Sequence, residues 1–154
     1  YEEPMDEHST ESYRRLAEQL EIPIIGPEYA YGKHHTRAEW IASKACDIVR
    51  VGVADVGGIG PSMKCAHLTE SFNMGCEIHG GGAGNLAVIG AISNTTWYER
   101  GLLHPFIDYD EVPSHLNSIV DPMDEDGNIP MPTLPGLGED INFEYIAEST
   151  ISTH

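Results

Sequence analysis

Along the first hundred residues, an acid or a histidine recurs wherever an apolar run ends. Glu2 and Glu3 open the chain, and Glu28 closes the run Ile22-Pro23-Ile24-Ile25. Arg50 and Asp55 flank the end of a β-branched stretch, Glu77 and His79 end another, and Glu99 completes the series. If each run is a strand, these side chains gather at one end of a sheet. Carboxylate oxygens are hard donors, which suit Mg²⁺ better than Zn²⁺. A cation held by them can stabilise the enolate formed when a proton is taken from the carbon beside a carboxylate.

Such a site needs parallel strands to carry it. Ser9 is placed to cap a helix over 9–20, with Tyr13, Leu16 and Leu20 at helical spacing. Residues 22–25 read as a short strand, and Thr36 as the cap of a helix running to about Ala45. The β-branched stretch 47–53 reads as a strand. Gly57-Gly58-Ile59-Gly60 turns the chain, and Pro61 sits at the start of a helix over 62–72. A strand over 74–78, a triple glycine at 80–82, an apolar helix over 85–92 and a strand over 95–99 follow. Alternating strands and helices with buried strands signal a parallel sheet. The period, about 22 to 26 residues, is the rhythm of a (β/α)₈ barrel.

Two domains follow from this pattern: a partial (β/α) barrel over 1–100 and a C-terminal extension over 101–154. The extension is rich in Pro and Gly over 122–138 and carries a tight turn at Asp126-Gly127-Asn128. Residues 147–154 are polar and expected to fray. Four βα units are too few to close a barrel. The expectation is therefore an incomplete chain that needs its N-terminal half, and whose half-barrel has open sheet edges that demand a partner.

Composition narrows the class. Hydrophobic residues make up 40% of 154, enough for a core. Twenty-five acids against 8 Lys plus Arg give a formal charge of −17, which repels nucleic acid and anionic membranes. Part of that charge is a solvated acidic surface. Cys46, Cys65 and Cys76 are odd in number and form no C-x-x-C, which argues for a reducing, cytoplasmic setting and for buried thiols.

Six segments in order resemble the enolase superfamily, of the mandelate racemase and muconate lactonizing enzyme type. Tyr1-Glu2-Glu3-Pro4 resembles its Glu-x-Pro strand end, and Ile22 to Glu28 the next one. Asp55-Val56-Gly57-Gly58-Ile59 resembles the Gly-Gly turn after the sixth strand, and His79 the catalytic His after a short strand. Trp97-Tyr98-Glu99-Arg100 resembles a Trp-x-Glu-Arg motif, with Glu99 lying 20 residues after His79 as in the family. Pro132 to Gly138 resembles the C-terminal Pro-x-x-Pro-Gly-Leu-Gly. The resemblance implies the C-terminal part of a modified TIM barrel, with a tail that returns to a capping domain. It implies Mg²⁺ bound by Glu2 and Glu28, with Glu3 behind them. It makes His79 the general acid or base and Glu99 a hydrogen-bond partner of the substrate carboxylate. A third ligand and a second base would lie before Tyr1. The substrate would be a small-molecule carboxylate, and a homo-oligomer is expected.

The chain departs from the family at Gly52, where the family places an Asp that partners the His. Asp55 is an expected substitute through a bent loop, and Arg50 is expected to point inward and meet the substrate carboxylate. Without its usual partner His79 suits an acid role, which favours dehydration of a sugar acid, an aldonate or aldarate, to a 2-keto-3-deoxy acid. A cycloisomerase or racemase acting on a sugar acid or lactone is the enzymatic alternative, and a catalytically incomplete binding or assembly unit is another. Three local readings stay open: Glu99 meets the substrate or simply pairs with Arg100, His34 and His35 lie on a solvated loop or on the rim, and Gly80-Gly81-Gly82 is an anion cradle or a tight turn.

Overall fold

Ile48–Val51 (β1) and Gly75–Ile78 (β2) pair in parallel, with Ile48 opposite Gly75 and Val51 opposite Ile78. The computed structural model of the chain describes residues 1–101 and 104–152. On the far side of β1 the sheet continues through single parallel bridges, Ile48 to Ile25 and Ile25 to Glu2. The Gly26 N–H donates to Ile48 O at 3.1 Å, and the Ile25 N–H to Tyr1 O at 3.0 Å. Four chain segments thus lie side by side in sequence order, all running the same way. Parallel neighbours require crossovers, and helices supply them: α1 (Thr10–Gln19), α2 (Lys33–Ala42) and α3 (Ile59–Ser71), with α4 (Ala83–Ile89) after β2. The α/β class read from the sequence is the one observed.

The core lies between this sheet and its helices. Val49, Val51, Cys76 and Ile78 from the strands meet Tyr13 of α1, Trp40 and Ile41 of α2, Cys65 and Ala66 of α3, and Val88 of α4. Tyr13 and Trp40 pack with ring centroids 4.6 Å apart. All three cysteines are free and buried. Burial pushes the thiols up, Cys46 and Cys76 to about 12 and Cys65 to about 11, so they serve as small hydrophobes.

Ser9 caps α1 as expected, its hydroxyl accepting the Ser12 N–H at 3.2 Å. Several boundaries differ from expectation. Thr36 does not cap α2. That helix starts at Lys33, after Gly32 at φ 105°, a left-handed conformation that glycine adopts without a steric cost. The Thr36 hydroxyl donates to Tyr31 O instead. His34 and His35 therefore lie in the first turn of α2, not on the loop before it. Likewise α3 starts at Ile59, two residues before Pro61. Residues 95–99 form no strand. The Cys76 N–H does reach Asn94 O at 2.7 Å. Beyond it, the Glu77 carboxylate takes the Thr96 N–H at 3.1 Å and the Thr95 hydroxyl at 3.2 Å, where a ladder would have needed backbone partners.

The tail is held by polar tethers. Tyr98 donates its hydroxyl proton to Asp121 at 2.5 Å. Arg100 reaches Tyr109 O at 2.7 Å and the Asp110 carboxylate at 2.9 Å. The expected turn is present, with the Asp124 N–H on Asn128 O at 2.9 Å and Gly127 at φ 81°. Leu116 and Ile141 form an antiparallel bridge. The stretch expected to fray begins inside a helix, α5 (Phe143–Ser149), whose Asn142 cap accepts the Tyr145 N–H at 3.0 Å. Its last two residues, Thr153 and His154, lie outside the described residues. No helix among the described residues is long and apolar enough to cross a membrane.

Candidate active site

Parallel pairing puts the ends of the four segments at one edge, and the polar residues after them meet there. Arg50, the third residue of β1, is buried and centres the cluster. Its Nε lies 2.8 Å from Glu2 Oε1 and 3.3 Å from Glu28 Oε2, and its Nη2 pairs with Glu99 Oε2. Burial works against a charged guanidinium, but Glu2 and Glu99 beside it hold Arg50 above its ordinary value.

The two glutamates titrate as a pair. Burial alone pushes Glu28 up, yet the Tyr29 hydroxyl, the Glu2 carboxyl, His79 and Arg50 together pull it below the usual carboxylate value. Glu2 goes the other way, raised by burial and by its hydrogen bond to Glu28. Glu28 is thus the more readily ionised member of the pair.

Glu3 takes a different direction from Glu2. Its φ of 36° lies in the left-handed region, uncommon for a non-glycine residue, and the bend separates the two side chains. Its Oε1 accepts the Glu28 N–H at 2.5 Å. Burial, followed by the neighbouring Glu7 carboxyl, pushes Glu3 up to about 8.

His79 follows β2 and faces two carboxylates. Its Nδ1 lies 3.2 Å from Asp55 Oδ2 and 3.3 Å from Glu28 Oε1. Asp55 reaches it because the loop after β1 folds back, with the Val56 N–H on Gly52 O at 3.0 Å. Gly52 leaves the room: a Cβ there would fall 1.9 Å from Asp55 Oδ2. The ring of Tyr29 stands edge-on to His79 at a centroid distance of 5.8 Å.

Glu99 accepts the Gly80 N–H at 3.1 Å as well as the Arg50 guanidinium. It makes no pair with Arg100, which is spent on the tail. The Gly82 N–H donates to the Tyr98 hydroxyl at 2.8 Å. With two of its N–H groups already occupied by side chains, the triple glycine reads as a tight turn. Glu77 lies outside the cluster, bound to Thr95 and Thr96.

Four contributors escaped the sequence reading. Asn85 accepts the Val53 N–H at 3.0 Å and donates to the carbonyls of His79, Gly80 and Gly81 at 2.8, 3.2 and 3.0 Å, which ties the Asp55 loop to the His79 loop. Its one sequence signal is a lone amide in the otherwise apolar helix Ala83–Ile89. Arg37, Glu7 and Tyr29, which support Glu28, carry no motif.

Glu2 and Glu28 are hard oxygen donors that both lie against Arg50, so a divalent cation between them would relieve their repulsion. Their chemistry fits Mg²⁺. Among the described residues, no three His, Cys, Asp or Glu side chains gather into a group that could hold a metal ion, so these two would be a partial ligand set.

Residues 1–146 match the family described as enolase C-terminal domain-like, and the chain belongs to that family. Arabinonate dehydratase of Saccharolobus solfataricus is 33% identical over 146 residues, covering 90% of this chain and 36% of that protein. D-galactonate dehydratase of Ralstonia nicotianae is 26% identical over 157 residues, covering 98% of this chain and 41% of that protein. The crystal structure of D-glucarate dehydratase from Agrobacterium tumefaciens, complexed with magnesium, superposes with a TM-score of 0.92 at 57% identity over 96% of this chain and 38% of that one. The chain spans 36 to 41% of the length of these curated relatives.

Proposed function

We propose that the chain is the C-terminal barrel segment of a Mg²⁺-dependent dehydratase that converts a sugar acid, an aldonate or aldarate, to a 2-keto-3-deoxy acid. The observation that carries this is the convergence of Glu2, Glu28, Glu99, His79 and Asp55 around Arg50 at one edge of the parallel sheet. The relatives named as arabinonate, galactonate and glucarate dehydratases support the choice of reaction.

Glu2 and Glu28 would hold Mg²⁺, whose charge stabilises the enolate that follows removal of the proton alpha to the substrate carboxylate. The remaining roles belong to this chain's own side chains. Arg50 keeps Glu2, Glu28 and Glu99 together and directs positive charge toward the bound carboxylate. Glu99 borders the same position, its Oε2 taken up by the Gly80 N–H and Arg50, and would hydrogen-bond a substrate oxygen. His79 gives a proton to the departing β-hydroxyl, which leaves as water, and the resulting enol becomes the 2-keto acid. Asp55 on Nδ1 fixes the imidazole so that Nε2 faces the substrate.

In the same reading, residues 1–100 form part of a modified TIM barrel and 101–154 an extension that packs on the barrel and the capping domain. The N-terminal half of the enzyme supplies the remaining ligand and base. The assembly is a cytoplasmic homo-oligomer.

Proton NMR in D₂O tests the reaction. The complete enzyme with Mg²⁺ is incubated with pooled aldonic and aldaric acids and their lactones. A deuterated 2-keto-3-deoxy acid is expected, and His79→Asn abolishes it. Exchange or ring rearrangement without loss of water would assign a racemase or cycloisomerase instead. No turnover of any kind would overturn the sugar-acid assignment.

A further inference from the structure

Glu28 is held by its backbone as well as by its carboxylate. On the N–H side, Glu3 accepts from Glu28 at 2.5 Å, and Glu7 accepts from the next residue, Tyr29, at 2.7 Å. The Glu3 and Glu7 carboxyls are hydrogen-bonded to each other. On the C=O side stands Arg37, which is 1% exposed. Its Nη2 donates to Pro27 O at 3.0 Å and Glu28 O at 2.6 Å, and its Nη1 to Ala30 O at 2.6 Å.

Arg37 is unusual as a buried cation. Among the described residues no carboxylate forms an ion pair with it; carbonyl dipoles take that place. Burying a charge without an acid is costly, and here only the two terminal nitrogens find acceptors, since the buried Nε has no hydrogen-bond partner among the described residues. A flat fork of five N–H groups can bind several carbonyls of one loop at once, whereas a lysine ammonium cannot span them. The strength of this arrangement is spent on the loop that carries Glu28 and Tyr29. Tyr29 in turn hydrogen-bonds the Glu28 carboxylate through its hydroxyl.

We infer that Glu7 and Arg37, acting with Glu3, are positioning residues that lock the backbone of Glu28 and Tyr29 from both sides and thereby set the affinity of Glu28 for a divalent cation. This rests on the reading of Glu28 as a Mg²⁺ ligand. None of the three need touch the cation. Second-layer partners of metal ligands characteristically alter affinity by about tenfold or more when removed.

The test is isothermal titration of the complete, metal-free enzyme with MgCl₂, alongside its thermal midpoint without metal. Glu7→Ala is expected to raise the Kd for Mg²⁺ about tenfold, with little change in the metal-free midpoint. Glu7→Gln should restore wild-type affinity, because an amide accepts from the Tyr29 N–H and still donates to Glu3. Arg37→Lys should weaken Mg²⁺ at least as much as Glu7→Ala; if it fails to fold, the Glu7 pair of variants decides. Mg²⁺ affinity unchanged in Glu7→Ala, or lost equally in Glu7→Ala and Glu7→Gln, overturns the inference. Glu28→Gln is the control: if it binds Mg²⁺ like wild type, the ligand reading itself fails. If it loses Mg²⁺ while Glu7→Ala keeps it, only the positioning role fails.

Discussion

Residues 1–101 and 104–152 are held together by different forces. The first stretch contributes every member of the hydrophobic core cluster, from Tyr13 to Val88. In the second, Leu116 is the one buried hydrophobic among the described residues, and α5 buries none of its residues. Phe106 and Phe143 are 89% and 72% exposed. Its attachments to the first stretch include the Tyr98–Asp121 and Arg100–Asp110 contacts. Apolar burial contributes roughly 1.5–3 kcal/mol per large side chain, whereas an exposed polar pair contributes about 0–1 kcal/mol. One stretch therefore organises itself, and its site with it. The other displays apolar side chains that it does not cover.

Trp40→Ala is the sharpest way to break this contrast. Trp40 is 1% exposed and packed against the tilted ring of Tyr13, so truncation should cost about 3–5 kcal/mol. Phe143→Ala should stay within about 0.5 kcal/mol. Denaturant unfolding of the two variants measures the difference; equal losses would mean that the tail has a core of its own.

Within the first stretch, Gly52→Ala separates packing from chemistry. The atom that a new Cβ would strike, Asp55 Oδ2, ends a flexible side chain. Asp55 should swing away rather than the backbone shift, so stability changes by less than about 1 kcal/mol. Turnover should fall at least about tenfold as His79 loses its partner. Gly52→Asp combined with Asp55→Gly, which returns a carboxylate to His79 from the strand, should recover it. Equal turnover in Gly52→Ala and wild type would detach Asp55 from the mechanism.

The same contrast governs what could be read in the sequence. Core-forming elements leave periodic signals, so the β/α alternation, the Ser9 cap and the six motif segments were legible before any coordinates. Of the strands expected, 22–25 shrinks to single bridges at Ile25, and 95–99, though rich in strand formers, has its backbone partners displaced by the side chain of Glu77, which no pattern announces. Thr36 looked like a cap because the freedom of Gly32 to take φ 105° is invisible in residue type alone. Site carboxylates were legible because Glu28 follows an apolar run and Glu99 lies in Trp97-Tyr98-Glu99-Arg100. Arg37 and Asn85 were not, because they bind carbonyls of distant loops, and one arginine or asparagine in a helix looks like any other. The relative directions of Glu2 and Glu3 depend on a single backbone dihedral and could not be assigned from two adjacent identical residues.

Tyr98→Phe tests the tether between the two stretches. It removes the proton donated to Asp121 and the oxygen that accepts the Gly82 N–H. A loss of about 1–2 kcal/mol is expected, together with faster proteolysis confined to 104–152. Unchanged cleavage there would mean that the tail is fixed by other contacts.

The smallest effect comes from the place where the first stretch resembles the second. The outer face of α1 is held by exposed ion pairs: Glu11 binds Arg14 at 2.8 Å and Arg15 at 3.0 Å. The Arg14 guanidinium, then that of Arg15, lowers Glu11 to about 2 from its ordinary 4.5. A carboxylate depressed on folding adds stability that is present above about 4.5 and is lost as pH falls toward 2. Unfolding midpoints of wild type and Glu11→Gln at low salt should therefore differ above that window and converge near its lower end. Added salt should shrink the difference, since these charges are exposed and screened. Parallel midpoints across the whole range would show that the pairs leave α1 unaffected. In that case α1 is held by Tyr13 and its packing alone, as the rest of the first stretch is held by its core.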